Sequence, residues 1–418
     1  MRVRRSLDPV VGLIALTILA TACSRDPDVQ AREYLASADR YAEARQYEAA
    51  IIEYRNAIKV RPDLAEAHFK LARVYEATGD PVHAYSAYAR SADLEPSNMD
   101  AQLKAGALLI AAGEYDMARR RAELAVQVDP KNPAAYILLG NALAGLKETS
   151  QAIKQMEQAI AIDPSYAPAW SALGAARFIG GRREKAGEAF RRAVELSPDA
   201  VEPYLALANY HWATGEQAAA EKALEQALAI DSSSPAVHRA LALYYIVSKR
   251  PAEAEPHFRA LVDEPGGVLA LADYYTGVGR HDEAIAVLRK LVDDPSHPES
   301  MPARLRLAAA DYQAGRKQQA YELVDSVIEA RPAHADARIA KTRMLLLDGG
   351  DLAEAEEHAR KAIESDRTLP AAHYTLGLVR LRQRDTAGAE KAFREVLRLN
   401  PRAGAAQLQL ARLQLARG

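Results

Sequence analysis

Apolar residues in this chain recur at three- and four-residue steps, and the steps themselves recur. Within residues 133–166, Tyr136, Leu139, Gly140 and Leu143 fall on one helical face, as a buried stripe on a 3.6-residue turn requires. After a break at Lys147, a second face carries Ala152, Met156 and Ala159 and stops ahead of Asp163-Pro164. Proline ends it, because it offers no N–H and disfavours the helical conformation in the residue before it. Pro133 suits the first turn of the first helix, where a missing N–H costs nothing. The pattern predicts two antiparallel helices joined by a tight turn.

That hairpin repeats along the chain. Pro62, Pro96, Pro130, Pro164 and Pro198 lie 34 residues apart, and Ala50, Ala84, Ala118, Ala152, Ala186, Ala220 and Ala254 keep the interval. Ala284, Ala320, Ala355 and Ala389 continue it with small slips. Ahead of these alanines stand small residues such as Ala38, Ala72, Gly106, Gly140 and Gly174, which let two helices approach closely where they cross. Gly79, Gly113, Gly181, Gly215, Gly279 and Gly315 sit between the helices, where glycine accepts the left-handed backbone that ends a helix. A lone hairpin cannot bury its stripe, so neighbours must stack.

These residues resemble the tetratricopeptide repeat. In residues 167–200 the family's positions read Trp170, Leu173, Gly174, Gly181, Ala186, Phe190, Ala193 and Pro198. Repeats begin near Ala31, Ala65, Met99, Pro133, Ala167, Val201, Pro235, Pro265, Met301, Ala335 and Pro370, with a partial twelfth at Gly404. The resemblance implies an all-α fold, a right-handed superhelical solenoid of about eleven helix-turn-helix units plus a terminal helix. First helices would line the concave face and second helices the outside. Residues 31–264 form repeats one to seven, and 265–418 form repeats eight to eleven with the C-terminal helix. Between them, Pro251, Pro256 and Gly266-Gly267 mark residues 249–300 as irregular, either a hinge or a local fault in the packing.

The amino terminus follows different rules. Arg2, Arg4 and Arg5 precede an apolar stretch from Val10 to Ala20, too short for a bilayer core of about 30 Å. Ala20-Thr21-Ala22 then leads into Cys23, the single cysteine. The run resembles a bacterial lipobox, with residues 1–22 a removed signal peptide, Cys23 the lipid attachment site and 23–30 a short linker. An ordinary secretory signal cut near Ala22, leaving Cys23 a free thiol, uses the same residues. By resemblance, Ser24 after the cysteine implies the periplasmic face of the outer membrane, with membrane contact through the lipid only.

Composition narrows the chemistry. With 54 basic and 56 acidic residues the formal net charge is −2, which removes the general attraction that nucleic-acid binding uses. One cysteine excludes an intrachain disulfide and a thiolate metal cluster. His68, His238 and His373 share the fourth place of their repeats with Tyr136 and Trp170, and so read as packing residues. No metalloprotease, P-loop, nucleophile-elbow or dinucleotide motif occurs. The expectation is therefore no enzyme, no cofactor, no metal and no catalytic residue.

The concave face is the candidate site. At the twelfth place stand Ile110, Phe178, Trp212, Ile246, Tyr312 and Leu346, at the ninth Asn141 and Asn209, and at the fifth Tyr374. Exposed apolar residues along a groove mark protein-binding surfaces, and asparagines can hydrogen-bond an extended backbone. The competing reading is that aromatics at these places pack between repeats. The family's carboxylate clamp does not carry over, because the first repeats present Asp39, Arg73 and Ala107 at the ninth place. The expected function is a tethered scaffold for other envelope proteins or peptide segments, serving exopolysaccharide export, exosortase-linked surface proteins or pilus and secretion assembly. The alternative is an accessory or regulatory adaptor in envelope stress or carbohydrate processing.

Overall fold

The computed structural model describes residues 26–294 and 297–416. Residues 1–22, read from the sequence as a signal peptide, Cys23 with the first residues of the expected linker, and the last two residues lie outside that range. The described residues form 23 helices and no strand. The helices gather into two compact bodies, one ending at Asp231 and the other starting at Ser232. The chain passes from one to the other through Asp231-Ser232-Ser233-Ser234, one repeat ahead of the 264/265 division drawn from the sequence.

Each repeat is a hairpin whose turn is set by one left-handed residue. Gly79, Gly113, Gly181 and Gly215 in the first body take φ between 72° and 84°. Where glycine is absent the same conformation is forced on Arg45 and Lys147, and in the second body on Lys249 and Arg384. A residue with a Cβ adopts it at a cost of about 1–2 kcal/mol, so hairpin packing overrides local preference at those turns.

Close approach of the two helices depends on an empty place opposite a large side chain. A Cβ on Gly174 would lie 2.9 Å from the ring of Phe190, and one on Gly377 would lie 2.5 Å from Phe393. Gly140 plays the same part for Met156. Alanines at the crossing, among them Ala152, Ala186, Ala320 and Ala389, are fully buried.

The fourth place of the repeat has a chemical rule that hydropathy hides. Trp170 Nε1 donates to the Pro164 carbonyl at 3.0 Å, and Tyr136 Oη donates to Pro130 O at 3.2 Å. His68 Nε2 meets Pro62 O at 3.1 Å, and His373 Nε2 meets Arg367 O at 2.9 Å. Arg338 Nε donates to Pro332 O at 2.7 Å and Gln407 Nε2 to Pro401 O at 3.0 Å. The acceptor always lies six residues back, in the turn between repeats. What these side chains share is a donor at the right reach, which satisfies a carbonyl that the turn leaves unpaired. The histidines thus close turns, and a carbonyl acceptor requires their Nε2 to carry the proton.

The second body breaks the pattern once. Helix Pro251–Ala260 has ten residues, with Pro256 inside it, and helix Gly267–Gly277 has eleven. Pro256 cannot supply the N–H that would bond back one turn, and Gly266 turns the chain at φ 78°. The two elements are shorter than the 13- and 14-residue helices of the regular repeats before them.

Candidate functional site

In the first body, successive first helices Met99–Ala111, Pro133–Gly145, Ala167–Ile179 and Val201–Thr214 pack side by side. Asn141 and Asn209 are exposed on them, and Trp212 keeps 36% of its surface accessible. Ile110 is half-buried against Leu109, Ala118 and Ala142. Phe178 is half-buried too, with its ring edge-on to Tyr210 at 5.9 Å, in a cluster with Ala186, Phe190 and Leu207. Phe178 and Ile110 are therefore shared between packing and the open face, whereas both asparagines and Trp212 lie on the surface.

The second body divides its candidates in the same way. Ile246 is 39% exposed. Tyr374 packs on Phe393 at a ring separation of 5.5 Å, and Tyr312 is half-buried beside Leu305 and Met344. Leu346 is the correction: at 7% exposure it sits in a buried cluster with Leu345, Ala355 and Val379. It offers a partner almost no surface.

Sequence spacing missed a ladder of charges on the first helices. Asp39 accepts from Lys70 Nζ at 2.8 Å and from Tyr54 Oη at 2.7 Å. One repeat on, Glu76 accepts from Lys104 Nζ at 2.8 Å and from Tyr88 Oη at 2.8 Å. Burial, with the neighbouring carboxylate second, pushes both tyrosine hydroxyls well above their ordinary range. The rule joins an acid at the ninth or twelfth place to a base at the sixth place of the next repeat. Asp273 and Arg306 repeat it in the second body at 2.8 and 3.0 Å. Such half-exposed pairs each contribute about 0–1 kcal/mol and fix orientation more than stability. Beside the first pair a cavity of about 460 Å³ is lined by Asp39, Tyr54, Lys70 and Arg73.

Asp348, in the second body, gathers Lys317 Nζ, Tyr312 Oη at 2.8 Å and Tyr321 Oη at 3.0 Å. The Lys317 ammonium, followed by the Tyr312 hydroxyl, holds its carboxyl below the usual carboxylate range. Burial, then the bond to Asp348, pushes the Tyr312 hydroxyl up to about 12. The Asp348 contribution is therefore complete above the unfolded carboxylate value of about 4 and is lost as pH falls through the lower folded value. The Tyr312 contribution holds below about pH 10 and is lost as pH rises through its folded value. Thermal unfolding of the full chain is expected to weaken more steeply below pH ~4 in the native protein than in Asp348→Asn, by at most about 1 kcal/mol. Parallel acid profiles for the two proteins would contradict this assignment.

Three further histidines, His238, His257 and His358, find side-chain partners. His238 Nε2 meets Ser232 O at 3.1 Å, so its Nδ1 is left to accept from His257 Nδ1 at 3.0 Å. His358 Nδ1 accepts from Arg338 Nη1 at 3.1 Å, and burial, with Arg338 second, holds its pKa down. Among the described residues no three histidine, cysteine or acidic side chains converge as metal ligands. No helix among them is long and apolar enough to cross a membrane.

Family models described as "TPR repeat" match residues 38–79, and those described as "Tetratricopeptide repeat" match residues 109–176, 180–244, 275–344 and 370–403. No curated protein matches the sequence. Among solved structures, the chain is similar to yeast Tom70, at 14% identity over 94% of this chain and 96% of that one, with a TM-score of 0.47. It is similar to MamA 41-end from Desulfovibrio magneticus RS-1, at 23% identity over 40% of this chain and 96% of that one, TM-score 0.37. TTC0263, a thermophilic TPR protein in Thermus thermophilus, gives 20% identity over 44% and 99%, TM-score 0.40.

Proposed function

This chain belongs to the tetratricopeptide-repeat family, and from that premise we propose a non-enzymatic protein-interaction scaffold, tethered by lipid on Cys23 to the periplasmic face of a bacterial outer membrane. Its work there is the assembly or export of an envelope component. The observation that carries the reading is the run of first helices in the first body. They expose Asn141 and Asn209, and with them Trp212, which leaves a tryptophan ring accessible beside the two amides. Asparagines offer both a donor and an acceptor to an extended backbone, and tryptophan supplies large contact area for few frozen torsions. A preformed array also limits the ordering cost of binding. The lipid anchor rests on the placement of the only cysteine after Ala20-Thr21-Ala22, and it holds the groove within reach of envelope partners.

The test joins the two halves of the proposal. Cells carrying the native chain, Cys23→Ser, or Asn141→Ala with Asn209→Ala and Trp212→Ala are fractionated and cross-linked. Cys23→Ser should move the protein from membranes to the soluble periplasm. The groove variant should stay in membranes with full helicity and lose its cross-linked partners. Membrane retention without the cysteine overturns the anchor, and partners that survive the triple change overturn the groove.

A further inference from the structure

Where the repeat shortens, the second body opens a trough. On helix Pro235–Val247, Leu243 is 62% exposed, with Ile246 and Val247 also on the surface. The ninth place, Leu243 here, is Asp39, Arg73, Asn141 or Asn209 in four earlier repeats and alanine, Ala107 or Ala175, in the other two, so this repeat is the first to set a large apolar side chain there. Opposite stand Phe258 and Leu261, drawn back because the second helix ends at Ala260, and Ala270 of the shortened next helix. A cavity of about 380 Å³ lies among Leu243, Ile246, Phe258, Leu261 and Ala270, with Arg239 and Glu264 at its edge. A second, of about 760 Å³, shares Ile246, Phe258 and Ala270 and runs on to Lys249 and Tyr274. The two are one continuous trough. Its first cavity has the volume of about a dozen waters, which is room for one bulky side chain.

Charge is distributed unevenly along it. At one end Arg239 and Glu264 pair at 3.3 Å and cancel. Asp273, at the other, is held by both nitrogens of the Arg306 fork. Lys249 lines the same end and makes no ion pair among the described residues. Its backbone is fixed in a left-handed turn at φ 59°, with its N–H on Ile246 O, so the side chain leaves from a set position. Leu243, Ile246 and Lys249 follow one another at three-residue steps. Helix Pro235–Val247 rises about 6 Å from Leu243 to its end at about 1.5 Å per residue, and the Lys249 backbone follows two residues later, so its flexible side chain can meet a group about three residues of extended chain from one seated at Leu243.

We infer that this trough takes an extended peptide segment of a partner protein, seating one bulky apolar side chain among Leu243, Ile246 and Phe258 and placing a carboxylate, three residues away, on Lys249. The inference rests on the scaffold reading and supplies the chemistry of one partner segment. The apolar wall provides the anchor and the unpaired ammonium the selectivity, since a basic residue at that spacing would meet like charge. An acyl chain is disfavoured, because the trough lies open to water along its length and carries charged groups at both ends.

Fluorescence anisotropy with the full chain decides it. The probes are labelled twelve-residue Gly/Ser peptides carrying Trp-x-x-Glu or Glu-x-x-Trp, with Lys replacing Glu or Ala replacing Trp as controls. The acidic tryptophan probe in its preferred order should bind about tenfold more tightly than either control. Lys249→Glu should invert the preference towards the basic probe, and Leu243→Asp should abolish binding of both. Both positions are exposed, and unchanged circular dichroism confirms the fold. Equal affinity for acidic and basic probes, binding untouched by Leu243→Asp, displacement of the probe by dodecanoate, or self-association of the chain through Leu243 would each overturn the inference. If the probes fail while the cross-linked partners still depend on Asn141, Asn209 and Trp212, the scaffold stands and the trough assignment falls.

Discussion

Phe393→Ala is expected to unfold the last hairpin of the second body while leaving the first body intact. The ring has no accessible surface and lies in a cluster with Ala389, Val396, Ala406 and Leu413. It also fills the place that Gly377 leaves open, with the Tyr374 ring 5.5 Å away. Truncation removes the transfer energy of the ring and leaves a cavity, together about 3–5 kcal/mol. The neighbouring backbone cannot collapse into that space, because helices Pro370–Arg382 and Thr386–Leu399 are already held at their crossing by Ala389. In a stacked array stability is a sum over each repeat and its neighbours, so the loss should stay local. Native-state hydrogen exchange should show protection falling across residues 370–415 and unchanged before Asp231. A uniform fall along the whole chain would mean that the array unfolds as one unit and that stability is not a sum over neighbours.

The same pairing explains why so much of the fold was legible. A glycine facing Met156, Phe190 or Phe393 is a one-dimensional trace of a three-dimensional approach, and it recurs every 34 residues because the hairpin does. The turns were legible wherever glycine takes the left-handed residue. They were less so at Arg45, Lys249 and Arg384, where packing imposes that conformation on a residue that does not advertise it. The fourth place shows a subtler limit. Trp170, His68, Arg338 and Gln407 have little in common on a hydropathy scale, yet each donates to a carbonyl six residues back. The position was visible, and its chemistry was not.

The candidate site was less legible for two physical reasons. Periodicity gives the side of a helix a residue is on, but exposure depends on what packs there. Leu346 shares its place with Trp212 and Ile246, and it is covered because Leu345, Ala355 and Val379 close around it. Ion pairs across repeats are the second case. Asp39 and Lys70 are 31 residues apart and Glu76 and Lys104 are 28 apart, so no local window holds both partners. The trough had a visible cause in Pro251, Pro256 and Gly266-Gly267. Its apolar wall follows only when the shortened helix is seen to withdraw from Leu243.

Gly267→Ala should remove that trough and destabilise the second body, although the change is one methyl group. A Cβ at Gly267 would fall 1.6 Å from the Leu261 carbonyl oxygen and 2.5 Å from its carbon. Both are backbone atoms, so no rotamer relieves the overlap. The turn from Leu261 to Gly266 must move, and with it the hydrogen bonds Gly267 N–H to Glu264 O and Glu264 N–H to Leu261 O. Overpacking of side chains costs about 1–3 kcal/mol; against fixed backbone the upper end or more is expected, a midpoint shift readable by chemical denaturation. Gly277→Ala is the control, because nothing lies within 4 Å of its Cβ position. At the end of the same helix it should be neutral or stabilise by up to about 1 kcal/mol, by restricting the unfolded chain. The two sites lie ten positions apart on one helix, and only Gly267→Ala should destabilise. The two variants should also part in binding, since a displaced Leu261 closes the wall that the apolar anchor needs. Equal stabilities for the two proteins, or a Gly267→Ala chain that still prefers the acidic tryptophan probe, would show that the close passage of helix Gly267–Gly277 past Leu261 is not what holds the trough open.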